Sequence, residues 1–349
     1  MRRDTLLFLW PAALAGLLSA CGGGSDEGLA EATASPASEL SVALAARSSA
    51  ARPVSVNLRI AAARATAESA SNACVEARPF YWEIGNVDGA KAAGSVGGST
   101  FKASTLMPYA SASKWLYSAY VVQRARGVLS SMDIQMLTFR SGYTQFQASS
   151  CEPGQTVDGC LATGSNGKYS AATDGRFFYD GGHMQKHASL IGLGAMTSAG
   201  LTNALRSQIG SDVAISYDRP QPPGGAYGTP AAYAKFLRKM LGGQLALGAL
   251  LGSSSVCANP ATCGAGQALK TPVPKEETWR YSLGHWVESD PVVGDGAFSS
   301  AGAFGFYPWI DASRTQYGIL ARVAPSGAGF GSAACGRLIR KAYATGVVL

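Results

Sequence analysis

The 349-residue sequence predicts a mixed α/β fold of the α+β kind, with an antiparallel sheet built from both chain ends and flanked by helices, and a mostly helical lobe inserted between them. Three observations carry this. Early in the chain, Phe80-Tyr81-Trp82-Glu83-Ile84-Gly85, a turn at Asn86-Val87-Asp88-Gly89 and the stretch Ala90 to Gly97 read as a β-hairpin. From about residue 106 to 250 the apolar residues recur mostly at helical spacing. Beyond 278 strand patterns return at Trp279 to Val287, Ala297 to Ile310 and Tyr317 to Val323, before a last helix over Ser332 to Val347. The sheet lobe is therefore expected at about 56–105 and 270–349, and the helical lobe at about 106–269.

The elements follow in order. Met1-Arg2-Arg3 and the apolar run Leu6 to Leu18 have the form of a secretory signal over residues 1–20, too short to span a membrane. Leu18-Ser19-Ala20-Cys21 followed by Gly22-Gly23-Gly24-Ser25 resembles a bacterial lipoprotein signal. That resemblance implies a lipid on Cys21, a periplasmic or cell-envelope location, membrane anchoring through the lipid and, with Gly22 after the cysteine, the outer rather than the inner membrane. An ordinary cleaved signal with a spare cysteine is the other reading. Residues 21–55 are rich in Ala, Ser, Gly and Pro and read as a flexible tether. Residues 56–349 then form the folded domain, opening with a helix near 56–72, and the whole sequence, 47% hydrophobic with 15% charged residues, has a globular composition. Further helices are expected near 129–138, 184–207 and 230–251. In an exported protein the six cysteines beyond Cys21 are expected to pair. Cys151 and Cys160 bracket one tight loop through Glu152-Pro153-Gly154 and Cys257 and Cys263 another through Asn259-Pro260, which leaves Cys74 and Cys335 to join the two ends of the fold.

Within the helical stretch, Pro108-Tyr109-Ala110-Ser111-Ala112-Ser113-Lys114-Trp115-Leu116-Tyr117 stands apart. From Ala103 to Gln123 the only formal charge is Lys114. A helix opening just after Pro108 puts Ser111 and Lys114 about one turn apart on a common face, where a hydroxyl can pass its proton to an amine. Desolvation favours the neutral lysine, the form able to act as a base. The plainer alternative is a lysine that snorkels out at a helix end. Ser-x-x-Lys also occurs at Ser99 to Lys102 and Ser165 to Lys168, but there it lies among Gly, Thr and Asn in expected loops or strand ends.

Four further stretches carry a family resemblance: Met136-Leu137-Thr138-Phe139-Arg140-Ser141-Gly142-Tyr143, Phe177 to Gln185, Tyr281 to Val287, and Ser299 to Asp311. With the Ser-x-x-Lys helix, their order is similar to that of the serine β-lactamase and penicillin-binding-protein superfamily, from about residue 60 to the C-terminus. The branch resembled contains class C β-lactamases, D-alanyl-D-alanine carboxypeptidases, esterases and 6-aminohexanoate-dimer hydrolases. In this resemblance Phe139 replaces the histidine of a Leu-Leu-x-His-x-Ser-Gly run with a structural role. The Tyr-x-Asn element admits two registrations. One makes Tyr179 the acid/base, with Gly181 in the asparagine position; the other puts His183 and Gln185 there, with an imidazole as the acid/base. For the Lys-Thr-Gly element, Lys270-Thr271-Pro272 is set aside because proline is poorly placed in an inner strand. The counterpart becomes Ser300-Ala301-Gly302, which lacks the basic residue that would hold a β-lactam or peptide carboxylate.

The resemblance implies acyl transfer through a covalent Ser111 ester formed with a small-molecule or peptide acyl substrate. Lys114 and Tyr179 would move protons. Backbone N–H groups of Ser111 and of the strand near Ser300, Gly302 and Ala303 would stabilise the oxyanion. An ester or amide fits better than a β-lactam or D-Ala-D-Ala peptide. The departures at Gly181 and Ser300 keep an alternative open, a catalytically degenerate protein that binds peptidoglycan or an envelope partner. No cofactor is implied. His183 and His187 have the i, i+4 spacing of zinc ligands but lack the Glu of a His-Glu-x-x-His pattern, so no metal is expected. No Gly-x-Ser-x-Gly elbow is present. The formal net charge of +7 is scattered without a Lys/Arg run, which argues against a nucleic-acid partner.

Overall fold

The computed structural model describes residues 54–349, so the expected signal peptide, Cys21 and nearly all of the expected tether lie outside the described residues. The helices that matter below are α1 (Val56–Glu68), α2 (Ser113–Arg124), α3 (Ser131–Leu137), α4 (Gly182–Ala188), α5 (Ser198–Ile209), α6 (Pro230–Leu241) and α7 (Gly329–Thr345). The principal sheet contains β1 (Phe80–Asn86), β2 (Gly89–Val96), β3 (Val256–Cys257), β4 (Arg280–Tyr281), β5 (Trp286–Val287), β6 (Phe298–Ser299), β7 (Tyr307–Ile310) and β8 (Tyr317–Ala321). Its order is β2-β1-β8-β7-β6-β5-β4-β3, every neighbouring pair antiparallel. The early hairpin thus joins strands from the far end of the chain at β1–β8, where Tyr81 faces Ala321 and Gly85 faces Tyr317.

Local chemistry explains most boundaries. Ser55, Ser130, Thr197 and Thr229 each cap a helix, their hydroxyls accepting from backbone N–H groups three residues on, and Pro230 sits at the first position of α6. Gly85 is required where it stands, since a Cβ there would lie 2.4 Å from the Gly89 carbonyl and 2.6 Å from the Tyr317 ring. Strands β7 and β8 are buried along their whole length, and both α6 and α7 pack on β8. Their unbroken apolar character follows from that burial.

All three expected disulfides are present: Cys74–Cys335, Cys151–Cys160 and Cys257–Cys263. The first ties the short helix Cys74–Ala77 to α7 across 261 residues of chain. A buried ionic network sits beneath the same helix. Glu288, fully buried, accepts from Arg337 Nε at 3.2 Å, from Arg340 Nη2 at 2.8 Å and from the Tyr307 hydroxyl.

Several expected elements come out shorter or divided. The stretch 184–207 is two helices, because Gly192 takes φ +87° in the turn Ser189–Leu193. The stretch Ala297 to Ile310 is two strands, β6 and β7, separated by a turn over 300–306. Edge strand β3 lies upstream of residue 270, so the sheet draws on a segment assigned above to the helical lobe. That lobe also contains small sheets, one pairing Met107–Pro108 with Ala226–Gly228 and another pairing Phe177–Phe178 in parallel with Ala268–Lys270.

Candidate active site

The start of α2 is held from two sides. Tyr109 N donates to Ala226 O at 2.9 Å, and Ala226 N donates to the buried Ser113 hydroxyl at 3.0 Å. Between them the chain makes a 3₁₀ turn over Ala110–Ala112, with Ala110 at φ +46°, a left-handed conformation that costs an L-residue energy. Ser111 lies in this turn and lines a cleft of about 810 Å³ together with Lys114, Tyr179, Asp180, Pro223, Lys270, Ala303 and Phe304.

Lys114 is 5% exposed, and its Nζ donates to Ser111 Oγ at 2.9 Å and to the Pro223 carbonyl at 2.7 Å. Burial lowers its pKa to about 7, against a smaller upward pull from Asp180. Near neutrality a large share of the amine is therefore uncharged. In that form the Ser111 hydroxyl can donate to Nζ while Pro223 fixes the nitrogen from the other side.

Tyr179 is reached from a different part of the chain. Its N–H donates to Lys270 O at 3.0 Å, its ring stacks on Trp286 with 5.0 Å between centroids, and Phe139 and Tyr281 lie at 5.4 and 5.8 Å. Lys114 Nζ stands 5.2 Å from the centre of the Tyr179 ring. Burial pushes the phenol up to about 12, with a hydrogen bond to Ser111 pulling the other way, so it is protonated at neutral pH. Phe139, standing where the resemblance expects histidine, is fully buried in this aromatic bed.

His183 does not line the cleft. It is fully buried, its Nε2 donates to Phe178 O at 3.0 Å, and its Nδ1 accepts from the Ser141 hydroxyl at 2.6 Å. A carbonyl can only accept, which sets the tautomer. Burial lowers the pKa to about 4, keeping the ring neutral. This histidine braces the segment before Tyr179 and is not presented to Ser111. His187 is engaged elsewhere, between the Tyr117 hydroxyl and Asp133, each at 2.8 Å. Gln185, which shares the second registration with His183, is also buried, its Nε2 donating to the carbonyls of Val157 at 3.0 Å and Pro220 at 2.9 Å.

The third expected element also differs. The Ser300 hydroxyl donates to Ser111 O at 3.2 Å, behind the nucleophile position and outside the cleft lining. Gly302 N is engaged with Phe306 O at 2.8 Å in the turn that divides β6 from β7, so it is not an oxyanion donor here. No larger residue fits at 302, because a Cβ would lie 2.3 Å from Tyr109 O. Ala303 and Phe304 do line the cleft. At Gly181 a Cβ would meet the Phe146 ring at 2.7 Å and Pro223 at 3.1 Å, so an aromatic ring fills the space where the resemblance places asparagine.

Pro272 argues against Lys270 as a site residue on sequence alone, yet Lys270 lines the cleft. The proline follows the end of the strand, two residues after Lys270, and does not interrupt it. Its signal in the sequence is the short run Ala268-Leu269-Lys270 ahead of a breaker. Sequence reasoning misses it because the pairing with Phe177–Phe178 joins segments far apart in the chain.

No protein-family profile matches the chain, and no curated protein matches it. Solved structures do. EstCE1, described as a hydrolase with promiscuous acyltransferase activity, is similar with a TM-score of 0.60 at 12% identity, covering 83% of this chain and 98% of that one. A penicillin-binding protein from Bacillus halodurans aligns with a TM-score of 0.54 at 13% identity over 73% and 93% of the two chains. Unliganded simvastatin synthase from Aspergillus terreus gives 0.53 at 14% over 84% and 99%. At these identities the likeness concerns architecture, and the chain carries the fold of the serine β-lactamases and penicillin-binding proteins.

Proposed function

We propose that the protein is a serine hydrolase that opens an ester or amide through a covalent acyl-Ser111 intermediate. One observation carries this reading: a buried Lys114 amine, with its pKa brought to about 7, lies 2.9 Å from the Ser111 hydroxyl in the wall of a cleft. A buried amine shifted that far, beside a hydroxyl, is the arrangement a lysine general base requires.

Lys114 takes the Ser111 proton as Oγ attacks the carbonyl carbon. Ser111 N–H and Ala303 N–H, from two residues that line the cleft, are the donors assigned to the oxyanion. Tyr179, protonated, delivers a proton to the leaving alkoxide or amine and recovers one from the attacking water when the acyl-enzyme is hydrolysed, while the Lys114 ammonium returns its proton to Ser111 Oγ as the acid departs. Similarity in fold to a hydrolase with promiscuous acyltransferase activity and to a penicillin-binding protein is compatible with either an ester or an amide as substrate. Anchoring through a lipid on Cys21, at the outer membrane, remains part of the proposal. It requires that Cys21→Ser move the protein from the membrane to the soluble fraction.

The proposal is tested by intact-mass measurement and peptide mapping after exposure to a fluorophosphonate and, separately, to a penicillin. The expected result is a phosphonate on Ser111. A penicillin adduct there as well would turn the substrate toward cell-wall peptides. Absence of both would favour a binding protein that keeps the fold, the reading that the Phe146-filled position at Gly181 and the engaged Gly302 N–H speak for.

A further inference from the structure

Lys270 ends the strand Ala268–Lys270, and its carbonyl accepts from Tyr179 N at 3.0 Å, which clamps this strand to the segment bearing the phenol. The side chain is exposed and lines the cleft, its Nζ 5.1 Å from the centre of the Phe178 ring. That aromatic face holds the ammonium without neutralising it. Among the described residues Lys270 forms no ion pair.

The carboxylates nearby do not fill the gap. Asp180 Oδ1 accepts from Gly182 N at 2.8 Å and from Phe146 N at 3.1 Å, and its carboxylate feels the charge of Lys270 across the cleft without forming an ion pair with it. Asp218, the other carboxylate of the lining, forms no ion pair with Lys270, and the next residue, Arg219, also lines the cleft with its guanidinium donating to Cys151 O at 3.0 Å. At Ser300, where the resemblance expects a basic residue, only a hydroxyl turned to Ser111 O is found. Among the described residues Lys270 is thus an exposed cation of the cleft that no ion pair engages, and it comes from another strand, whereas the Arg219 guanidinium is held by a backbone carbonyl.

We propose that Lys270 seats an anionic group of the substrate, so that the cleft selects esters or amides bearing a carboxylate near the scissile carbonyl. The inference rests on the hydrolase reading for the reaction, but the seat itself is a binding property. It revises the expectation that losing the basic residue at 300 removes carboxylate recognition: the charge is supplied from the Tyr179 side of the cleft.

The test compares kcat/KM for matched ester pairs in the wild-type protein and in Lys270→Met. One pair places the charge on the acyl side, 4-nitrophenyl hydrogen glutarate against its methyl ester. The other places it on the leaving group, 4-carboxyphenyl butyrate against its methyl ester. In at least one pair the charged member should be preferred by about five- to tenfold, and Lys270→Met should bring that ratio close to one. A ratio that Lys270→Met leaves unchanged, or no preference in either pair, overturns the seat. If no ester is turned over at all, the hydrolase reading fails while the seat is still measurable, by titrating Ser111→Ala protein with monomethyl glutarate and dimethyl glutarate. Monoanion binding that Lys270→Met abolishes would support the seat; equal binding of both would overturn it.

Discussion

At the scale of single residues, the chemistry turns on what burial does to one amine. An exposed lysine at neutral pH is almost wholly protonated and useless as a base. Lys114, enclosed by α2, the Pro223 carbonyl and the Tyr179 ring, is brought to about 7, so the base form appears where it is needed. The same burial pushes Tyr179 the other way, to about 12, and keeps it an acid. Two groups of opposite assignment thus arise from one dry environment. Arginine keeps a charge at position 114 but cannot release its proton. Lys114→Arg should accordingly reduce ester turnover by about a thousandfold or more, measured under single-turnover conditions, with Ser111 still in place. Ser111 and Lys114 were legible in the sequence because a lone charge inside an apolar helix is costly to bury unless the protein uses it. The unsuitability of His183 was not legible, since nothing local reveals that both its nitrogens are taken by Ser141 and Phe178.

At the scale of elements, the hairpin, the helix opening after Pro108 and the terminal helix follow from patterning, caps and breakers that act within a few residues. The interruption at 300–306 does not, because it depends on Gly302 lying against Tyr109 O, a contact between segments far apart in the chain. Strand Ala268–Lys270 escaped for the same reason: three residues have no period of their own, and the pairing with Phe177–Phe178 defines it. The attachment of α7 to the sheet offers a test of element packing. Glu288 is fully buried between Arg337 and Arg340, and its removal would leave two guanidiniums short of a partner in a low-dielectric site. Glu288→Ala should destabilise the fold by about 3 kcal/mol in urea unfolding, whereas a surface ion pair such as Lys91–Asp88 should be worth less than about 1 kcal/mol.

At the scale of the whole molecule, the sheet closes only when both ends of the chain meet, and Cys74–Cys335 fastens that meeting across 261 residues. A cross-link over so long a loop restricts the unfolded chain more than the two short loops do. Replacing Cys74 and Cys335 by serine should cost about 2–5 kcal/mol of stability, read from urea unfolding, and more than opening Cys151–Cys160 does. The three pairings could be read from spacing, because two of them bracket tight turns and the third is then left over. What the cleft selects could not be read that way, since its wall combines Lys270, Phe146 and Phe304 from three distant segments.

The central claim is that neutral Lys114 activates Ser111, and the pH dependence of Ser111 phosphonylation by a fluorophosphonate tests it most directly. A base must be deprotonated to act, so the rate should climb about tenfold per pH unit at acid pH, level off above an apparent pKa near 7, and lose that profile in Lys114→Arg. A rate that does not change between pH 5 and 9, or a phosphonate carried on a residue other than Ser111, would contradict the account.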